Sequence, residues 1–340
     1  MPVNFKSLTR KERKEALAAL GEKPFREKQI FRWICRGAES FAQMSDLSAV
    51  LREKLSESFS FESCHAVLTQ TSSDGTKKFL LKFPDAGLAE AVFMKYSYGN
   101  SLCVSTQIGC NMGCTFCASG LGGKVRDLAA WEMLDEYIIC RKTAGEDINH
   151  VVLMGMGEPF DNYDQVLEFI RLIHDPEGIG LSLRNITVST CGIVPKIKQF
   201  GDDIPQVNLA VSLHAATQEK REKIMPVAKG YPLSQLIPAC REHAEKTGRR
   251  ITFEYALIAG ENDTDEDVSA LSALLKGLNC HVNLIPLNSV EETSLKSSGR
   301  KNAQSFAQKL EKHGIPSTVR RQLGADIDAA CGQLRKKHTC

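Results

Sequence analysis

Three cysteines fall within one short run, Cys110-Asn-Met-Gly-Cys114-Thr-Phe-Cys117. Cysteine thiolates at close spacing hold iron–sulfur clusters, and a cubane cluster needs four ligands. Three thiolates from one loop therefore leave one iron open to a ligand from outside the protein. Gly109 and Gly113 let the loop bend so that all three sulfurs can face one centre. Structural zinc takes four protein ligands, commonly arriving in CxxC pairs, and the run does not supply that set. Three core cysteines are the bland reading, and this spacing argues against it.

Other residues carry possible chemistry with less specificity. Gly155-Met-Gly157-Glu158-Pro159 follows a strand-like run. Its glycines allow close backbone approach, and its carboxylate can accept from an ammonium. Alone it reads as a tight turn; placed after the cysteine loop it becomes a candidate ligand turn. Cys331 sits among small residues in GADIDAACGQL (324–334), which lets a second group come close. Cys103 lies on the strand entering the cysteine loop. The two read as a nucleophilic thiol and a resolving thiol, or as buried small hydrophobes, and Cys103 also as a fourth cluster ligand. Spacing does not separate these. By residue type alone, Glu90 is a surface carboxylate on an alternating strand and His214 a structural imidazole at a strand end.

The elements that must position these groups follow from the pattern. The chain has 340 residues, 42% hydrophobic and 25% charged, which suits roughly two domains or one barrel-sized domain with an addition. With 43 Lys+Arg against 41 Asp+Glu, no global basic coat argues for nucleic acid. Twelve cysteines would suit a secreted disulfide framework, but the start MPVNFKSLTRKERK has no apolar signal region. Apolar runs break within about ten residues, so no membrane span is expected. The expectation is a cytoplasmic protein with reduced thiols.

Residues 1–62 read as helices. Thr9-Arg-Lys-Glu12 is a capping-box pattern, and further helices are expected over 25–36 and about 46–58. Lys6, Arg10, Lys11, Arg13 and Lys14 crowd the start and read as a solvated face. Over 63–95 the pattern changes to a β extension, with a hairpin turn at Asp74-Gly75 and a strand at AEAVFMKY. From about 96 to 334, strand-like runs (LCVSTQI, HVVLMGM, NITVST, VNLAVSLH, ITFEYALI, HVNLIPL) alternate with helix-like ones over 128–143, 163–174, 233–246 and 265–277. A helix over 300–313 precedes a strand candidate at STVRRQ. This is an α/β class with parallel βαβ units. A doubly wound sheet and an open or closed (β/α) barrel both fit, and either gathers functional groups at the carboxyl ends of the strands. The polar stretch 289–300 is expected to be a loop, and 335–340 a basic tail.

The spacing CxxxCxxC resembles the signature of the radical S-adenosylmethionine superfamily, and GMGEP is similar to its GGEP motif. Further, CVSTQIGCNMGCTFC, VVLMGMGEP, VSLHAA, NLIPLN and DIDAACGQL occur in that order, and LGEKPFREKQIFRW precedes them. Over residues 8 to 334 the chain resembles the RlmN/Cfr family of radical methyltransferases. The resemblance implies a partial (β/α)6 TIM-type barrel with a small helical N-terminal accessory domain and a short β extension. It implies one [4Fe-4S] cluster on Cys110, Cys114 and Cys117, and two S-adenosylmethionines per turnover. It places contacts to that cofactor at Gly157, Glu158, Ser189, Ser212, Leu213, His214 and Asn288. It makes Cys331 the carrier of a methyl group, Cys103 the thiol that resolves it through a transient disulfide, and Glu90 a proton acceptor.

The implied substrates are 23S rRNA and some tRNAs, methylated at adenine C2 in RlmN members and, in rRNA, at C8 in Cfr members. The GEKPFR segment and the TVRR…GADIDAACGQLR ending are more similar to RlmN. The N-terminal basic residues, Arg320-Arg321 and Arg335-Lys336-Lys337 become candidates for phosphate contacts. A flavodoxin- or ferredoxin-type electron donor and a monomeric state are implied as well. An activase of a glycyl-radical protein and a non-catalytic iron–sulfur RNA-binding protein are the competing classes. The extra ferredoxin-like cysteine clusters that many such activases carry are absent from the sequence.

Overall fold

The computed structural model describes residues 2–287, 295–324, 326, 327, 334 and 335. Three helices open the chain: α1 (Arg10–Ala19), α2 (Phe25–Cys35) and α3 (Ala49–Ser58). The expected capping box starts α1. The Thr9 side chain accepts from the Glu12 N–H, and the Glu12 carboxylate accepts from the Thr9 N–H at 2.7 Å. An antiparallel extension follows: β1 (His65–Thr71), β2 (Lys77–Lys82) and β3 (Leu88–Tyr96), with the β1–β2 turn at Asp74-Gly75. Next come β4 (Gly99–Cys103), a short ribbon of β5 (Gln107–Gly109) and β6 (Lys124–Asp127), and α4 (Ala130–Ala144).

Strands and helices then alternate: β7 (His150–Leu153), α5 (Tyr163–His174), β8 (Ile186–Thr190), α6 (Val194–Asp203), β9 (Asn208–Ser212), α7 (Gln218–Ile224) and α8 (Leu233–Thr247). The chain continues through β10 (Ile251–Leu257), α9 (Asp265–Leu275), β11 (Cys280–Pro286), α10 (Gly299–Lys312) and β12 (Ser317–Val319). One sheet runs in the order β1-β2-β3-β4-β7-β8-β9-β10-β11-β12. From β4 to β12 every neighbouring pair is parallel, so the extension joins the parallel part through the antiparallel β3–β4 pair.

Alternation along these strands decides between the two architectures that periodicity left open. On β10, Ile251, Phe253, Tyr255 and Leu257 join the main core, while Thr252, Glu254 and Ala256 face open space. On β9, Leu209 and Val211 are core, while Ala210 and Ser212 line cavities; on β11, Val282 and Leu284 are core, while Asn283 and Ile285 line cavities. A doubly wound sheet buries both faces under helices. Here helices cover one face and the other curves around an interior space. This is the partial-barrel arrangement, with β12 as a short addition to the six strands read from the sequence.

The basic start of the chain is mostly structural, which corrects its reading as a solvated or phosphate-facing surface. Lys6 is 5% exposed and pairs with Asp135 of α4 at 2.8 Å. Arg13 is 4% exposed and pairs with Glu27 at 2.8 Å, and Arg10 reaches Glu27 at 3.0 Å and Asp175 at 2.7 Å. These cations fasten the first helices to one another and to the barrel. Lys11 and Lys14 stay exposed. Of the stretch 289–300, residues 289–294 lie outside the described residues; Ser297 bridges to Ile258, and α10 begins at Gly299. No described helix is long and apolar enough to cross a membrane.

One buried group in α4 works against stability. Glu136 is fully buried; its Oε2 accepts the Ser105 N–H at 2.9 Å, and Oε1 has no partner among the described residues. Burial pushes this carboxyl well above its usual range, and the Ser105 hydrogen bond offsets only part of that. The folded chain therefore holds this proton more tightly than the unfolded chain. Its stabilising contribution is present below the ordinary carboxyl pKa and is lost as pH rises. Glu136→Gln is expected to raise stability near neutral pH by roughly 1–3 kcal/mol, with the gain vanishing towards pH ~4. Thermal melts across that range check it; a gain independent of pH would count against the cause given.

Candidate active site

The cysteine loop leaves the barrel at β5. Gly109 adopts φ +83°, and a Cβ there would lie 1.9 Å from the Gly123 carbonyl oxygen, so no side chain fits. The Cys110 N–H donates to that same oxygen at 3.2 Å, and the Thr115 N–H donates to Ile224 O at 3.0 Å. The loop is thus held at both ends by backbone bonds. Cys110, Cys114 and Cys117 all line one chamber of about 280 Å³.

The Gly155–Pro159 turn forms the facing wall and is laced to the cysteine strand. The N–H groups of Thr106 and Gln107 donate to the Met156 carbonyl at 2.9 and 3.2 Å, and the Glu158 N–H donates to Gln107 Oε1 at 2.9 Å. Gly157 has φ +101°, and a Cβ there would sit 2.6 Å from Gln107 Cβ. The Gln107 amide in turn donates to Asp127 at 2.7 Å and Asp161 at 2.8 Å. Gln107 went unread in the sequence; its only trace there was its place three residues before Cys110.

Glu158 has partners the sequence did not announce. Oε1 accepts from Thr190 Oγ1 at 2.7 Å and the Phe160 N–H at 3.0 Å, and Oε2 accepts from the Cys191 N–H at 2.7 Å. The carboxylate staples the end of β7 to the end of β8. Burial raises its pKa, and these donors oppose the shift. The wall around it is completed by Ser189, Ser212 and His214, which line the chamber. Leu213 does not: it is fully buried on the helix side, and its N–H donates to Glu254 O of β10 at 3.0 Å. Asn288 lies outside the described residues.

His214 is more constrained than a strand-end imidazole needs to be. Its φ is +56°, and its carbonyl accepts from Asn262 Nδ2 at 2.7 Å. Such a conformation costs about 1–3 kcal/mol and persists where neighbours over-determine it. Asn262, 1% exposed, does so by also bonding Ala256 O and the Ile258 N–H, each at 2.7 Å. His214 Nδ1 accepts the Ala256 N–H at 2.9 Å, which assigns the ring proton to Nε2. Burial, with the nearby Arg221 charge, pushes the imidazole down to about 3, so the ring is a neutral single donor. Arg221 is itself fully buried and donates to the carbonyls of Cys191 (2.7 Å), Leu213 (3.2 Å) and Ser212 (3.3 Å) beneath the chamber.

Burial pushes the Cys110 thiol up to about 11 and raises that of Cys114 further. A metal would have to displace those protons, as metals do at thiolate sites. Among the described residues no three side chains converge closely enough to ligate one ion. A cubane binds each sulfur through a different iron, which needs wider spacing than a single ion. Three thiols on one chamber, facing a turn with no room for a side chain, fit a three-thiolate cluster with an open iron.

Cys103 stands apart from these three. It is 5% exposed on β4 and packs with Val92 and Met94 of β3 and with Leu323. Glu90, 3% exposed, shares the inner face of β3 with Val92. Its Oε2 lies 2.6 Å from Lys78 Nζ, and its Oε1 accepts the Arg335 N–H at 2.6 Å. Burial and pairing overturn its reading as a surface carboxylate. Cys331 lies outside the described residues, but both sides of its segment are fastened to the extension. Asp326 accepts from Ser72 Oγ and, at 3.0 Å, from the Ser73 N–H, and Arg335 binds Glu90. Arg320 lines both the chamber and a second cavity of about 420 Å³ below it, and Arg321 lines the second. Arg320 is half-buried in the barrel, while Arg321 is exposed at the mouth of the second cavity.

Comparison with known proteins bears on the whole chain. Residues 3–60 match the family model described as ribosomal RNA large subunit methyltransferase N-terminal domain, and residues 104–271 match the radical SAM superfamily. A Clostridium perfringens protein called a probable dual-specificity RNA methyltransferase RlmN is 50% identical over 337 residues, covering 98% of this chain and 97% of that protein. One of the same description from Geobacillus kaustophilus is 50% identical over 335 residues, covering 97% and 92%. The crystal structure of a radical SAM methyltransferase from Sphaerobacter thermophilus superposes with a TM-score of 0.93 at 42% identity, covering 98% of this chain and 99% of that one. The cysteine loop, the laced turn and the partial barrel thus sit in a chain that belongs to the RlmN family of radical SAM methyltransferases, enzymes built around a [4Fe-4S] cluster and S-adenosylmethionine.

Proposed function

We propose that this enzyme methylates C2 of an adenine at the peptidyl-transferase centre of 23S rRNA, and C2 of an adenine in the anticodon loop of some tRNAs, consuming two S-adenosylmethionines per turnover. The observation that carries this reading is the second constellation beside the chamber. Cys103 and Glu90 share one face of the β3–β4 pair, and the Cys331 segment is tied to the extension on both sides. A radical enzyme that only activates a partner protein has no use for such a pair of thiols and a base.

Cys110, Cys114 and Cys117 would hold the cluster. Gly157, Ser189, Ser212, Asn288 and the His214 Nε2–H would receive S-adenosylmethionine, with Leu213 acting through its backbone. Glu158, which also lines the chamber, would receive it with them while tying the end of β7 to the end of β8. When bound, the cluster and S-adenosylmethionine supply a methyl group and a carbon radical able to take a hydrogen atom from an unactivated methyl. The chain's own residues do the rest. Cys331 carries the methyl group, and its methylene radical adds to C2, an electron-poor carbon on which ordinary nucleophilic methylation fails. Glu90 takes the ring proton. The adduct gives up its unpaired electron to a one-electron acceptor of the flavodoxin or ferredoxin class. The Cys103 thiolate then attacks the Cys331 sulfur, so that an S–S bond forms as the S–CH2 bond breaks, and the departing carbon takes a proton from water to become the methyl group, leaving a disulfide for re-reduction by an external dithiol.

The substrate adenine must leave its stack to reach this site, which costs least in a loop. Residues 1–62 form the RNA-binding accessory region and residues 63–95 the extension. Residues 96–334 form the catalytic core, and 335–340 a basic tail for phosphate contact. The enzyme works as a cytoplasmic monomer and draws single electrons from a flavodoxin- or ferredoxin-type donor.

Mass spectrometry of RNA treated with the reconstituted enzyme is expected to show 2-methyladenine. 8-Methyladenine as the only product would overturn the C2 assignment, and absence of 5′-deoxyadenosine would overturn catalysis. Cys331→Ala is expected to abolish both the protein-bound methyl group and RNA methylation. Cys103→Ala is expected to accumulate a covalent protein–RNA adduct, seen as a shifted band that ribonuclease collapses; free methylated product from this variant would refute the resolving role. Glu90→Gln is expected to lower product release by about 10²–10⁴-fold, measured in single turnovers.

A further inference from the structure

Lys78 is a lysine that neither the chamber nor the core explains. It is fully buried on β2, with Nζ 2.6 Å from Glu90 Oε2. Strand register sets Lys78 opposite Val92 and Leu80 opposite Glu90, while Val92 stands opposite Cys103. Lys78, Glu90 and Cys103 therefore share one face across three adjacent strands. An ordinary strand at this position would carry an apolar side chain. Replacing a buried ion pair by apolar residues is often neutral or stabilising, so a buried pair is weak evidence for a purely structural role.

We propose that Lys78 is a positioning residue for Glu90. Its ammonium pairs with one oxygen of the buried carboxylate and aims it while the other oxygen accepts the Arg335 N–H. This rests on the reading of Glu90 as the proton acceptor. In that step the C–H bond at the ring carbon of the protein–RNA adduct breaks, and its electron pair stays with the adduct. The proton passes to Glu90, which becomes a neutral acid, while Lys78 remains an ammonium and the proton later leaves to water. A buried carboxylate without a counter-charge would already hold a proton and could not act.

Of the groups facing Glu90, Lys78 comes from β2, Cys103 from β4, and Arg335 presents both its backbone N–H and its side-chain charge. Ser105 Oγ donates to the Glu90 carbonyl at 2.6 Å, and Glu136 of α4 reaches the same serine through its N–H. The Lys78 ammonium is ion-paired with the carboxylate at 2.6 Å.

The test follows release of methylated RNA from adduct in single turnovers across pH, starting from methyl-loaded enzyme. Lys78→Met is expected to move the acid limb of release upward by about 1–3 pH units, so that adduct persists near neutrality and clears as pH is raised. Lys78→Arg is expected to restore the wild-type limb. Should Lys78→Met fail to fold, Lys78→Gln keeps a donor to Oε2 without the charge and is expected to shift the limb the same way. Glu90→Gln separates the two readings. If it releases product like the wild type, the Glu90 assignment falls and Lys78 with it. If it traps adduct while the neutral Lys78 variant keeps the wild-type limb, the role of Lys78 alone is overturned.

Discussion

The chamber depends on two strand ends being laced into one unit. The Met156 carbonyl accepts from two successive N–H groups of the cysteine strand, and Gln107 returns a bond to the Glu158 N–H. Without this lacing the cysteine loop would be a long excursion with no fixed distance to the turn it faces. Each bond alone is worth about 0.5–1.5 kcal/mol, so the lacing matters more for geometry than for stability. It sets two walls at one separation, and Glu158 passes that constraint on to β8 through Thr190 and Cys191.

Much of this was legible in the sequence because it rests on local pattern. The capping box at Thr9, the turn at Asp74-Gly75 and the alternation of β7 to β11 are short-range signals, and each leads to an element at the expected place. The choice of barrel over doubly wound sheet was not legible. Alternation shows that one face is apolar, but not whether the other is covered. The ribbon strand β6, with the sequence Lys-Val-Arg-Asp, was missed because it is short, polar and half exposed, and owes its form to pairing with β5.

Electrostatic partners were the least legible. Lys6, Arg10 and Arg13 look like a solvated cluster because Asp135, Glu27 and Asp175 come from elements distant in sequence or on another helix. Glu90 and Lys78 are likewise twelve residues apart and meet only through strand register. Arg221 and Asn262 show no motif, and their importance is that they hold the backbone beneath and behind His214. Residue type marked which groups could do chemistry, while burial and pairing marked which ones the fold had arranged.

The fastening of residues 326 and 335 to one extension bears on how fast a tethered reaction can run. A thiol carried between two anchored points meets its partner as an intramolecular neighbour, and the relevant quantity is an effective concentration set by tether length. In the proposed mechanism the adduct and the resolving thiol then need no diffusional search for each other. Lengthening the chain between the anchors would dilute the encounter without removing a single reactive group.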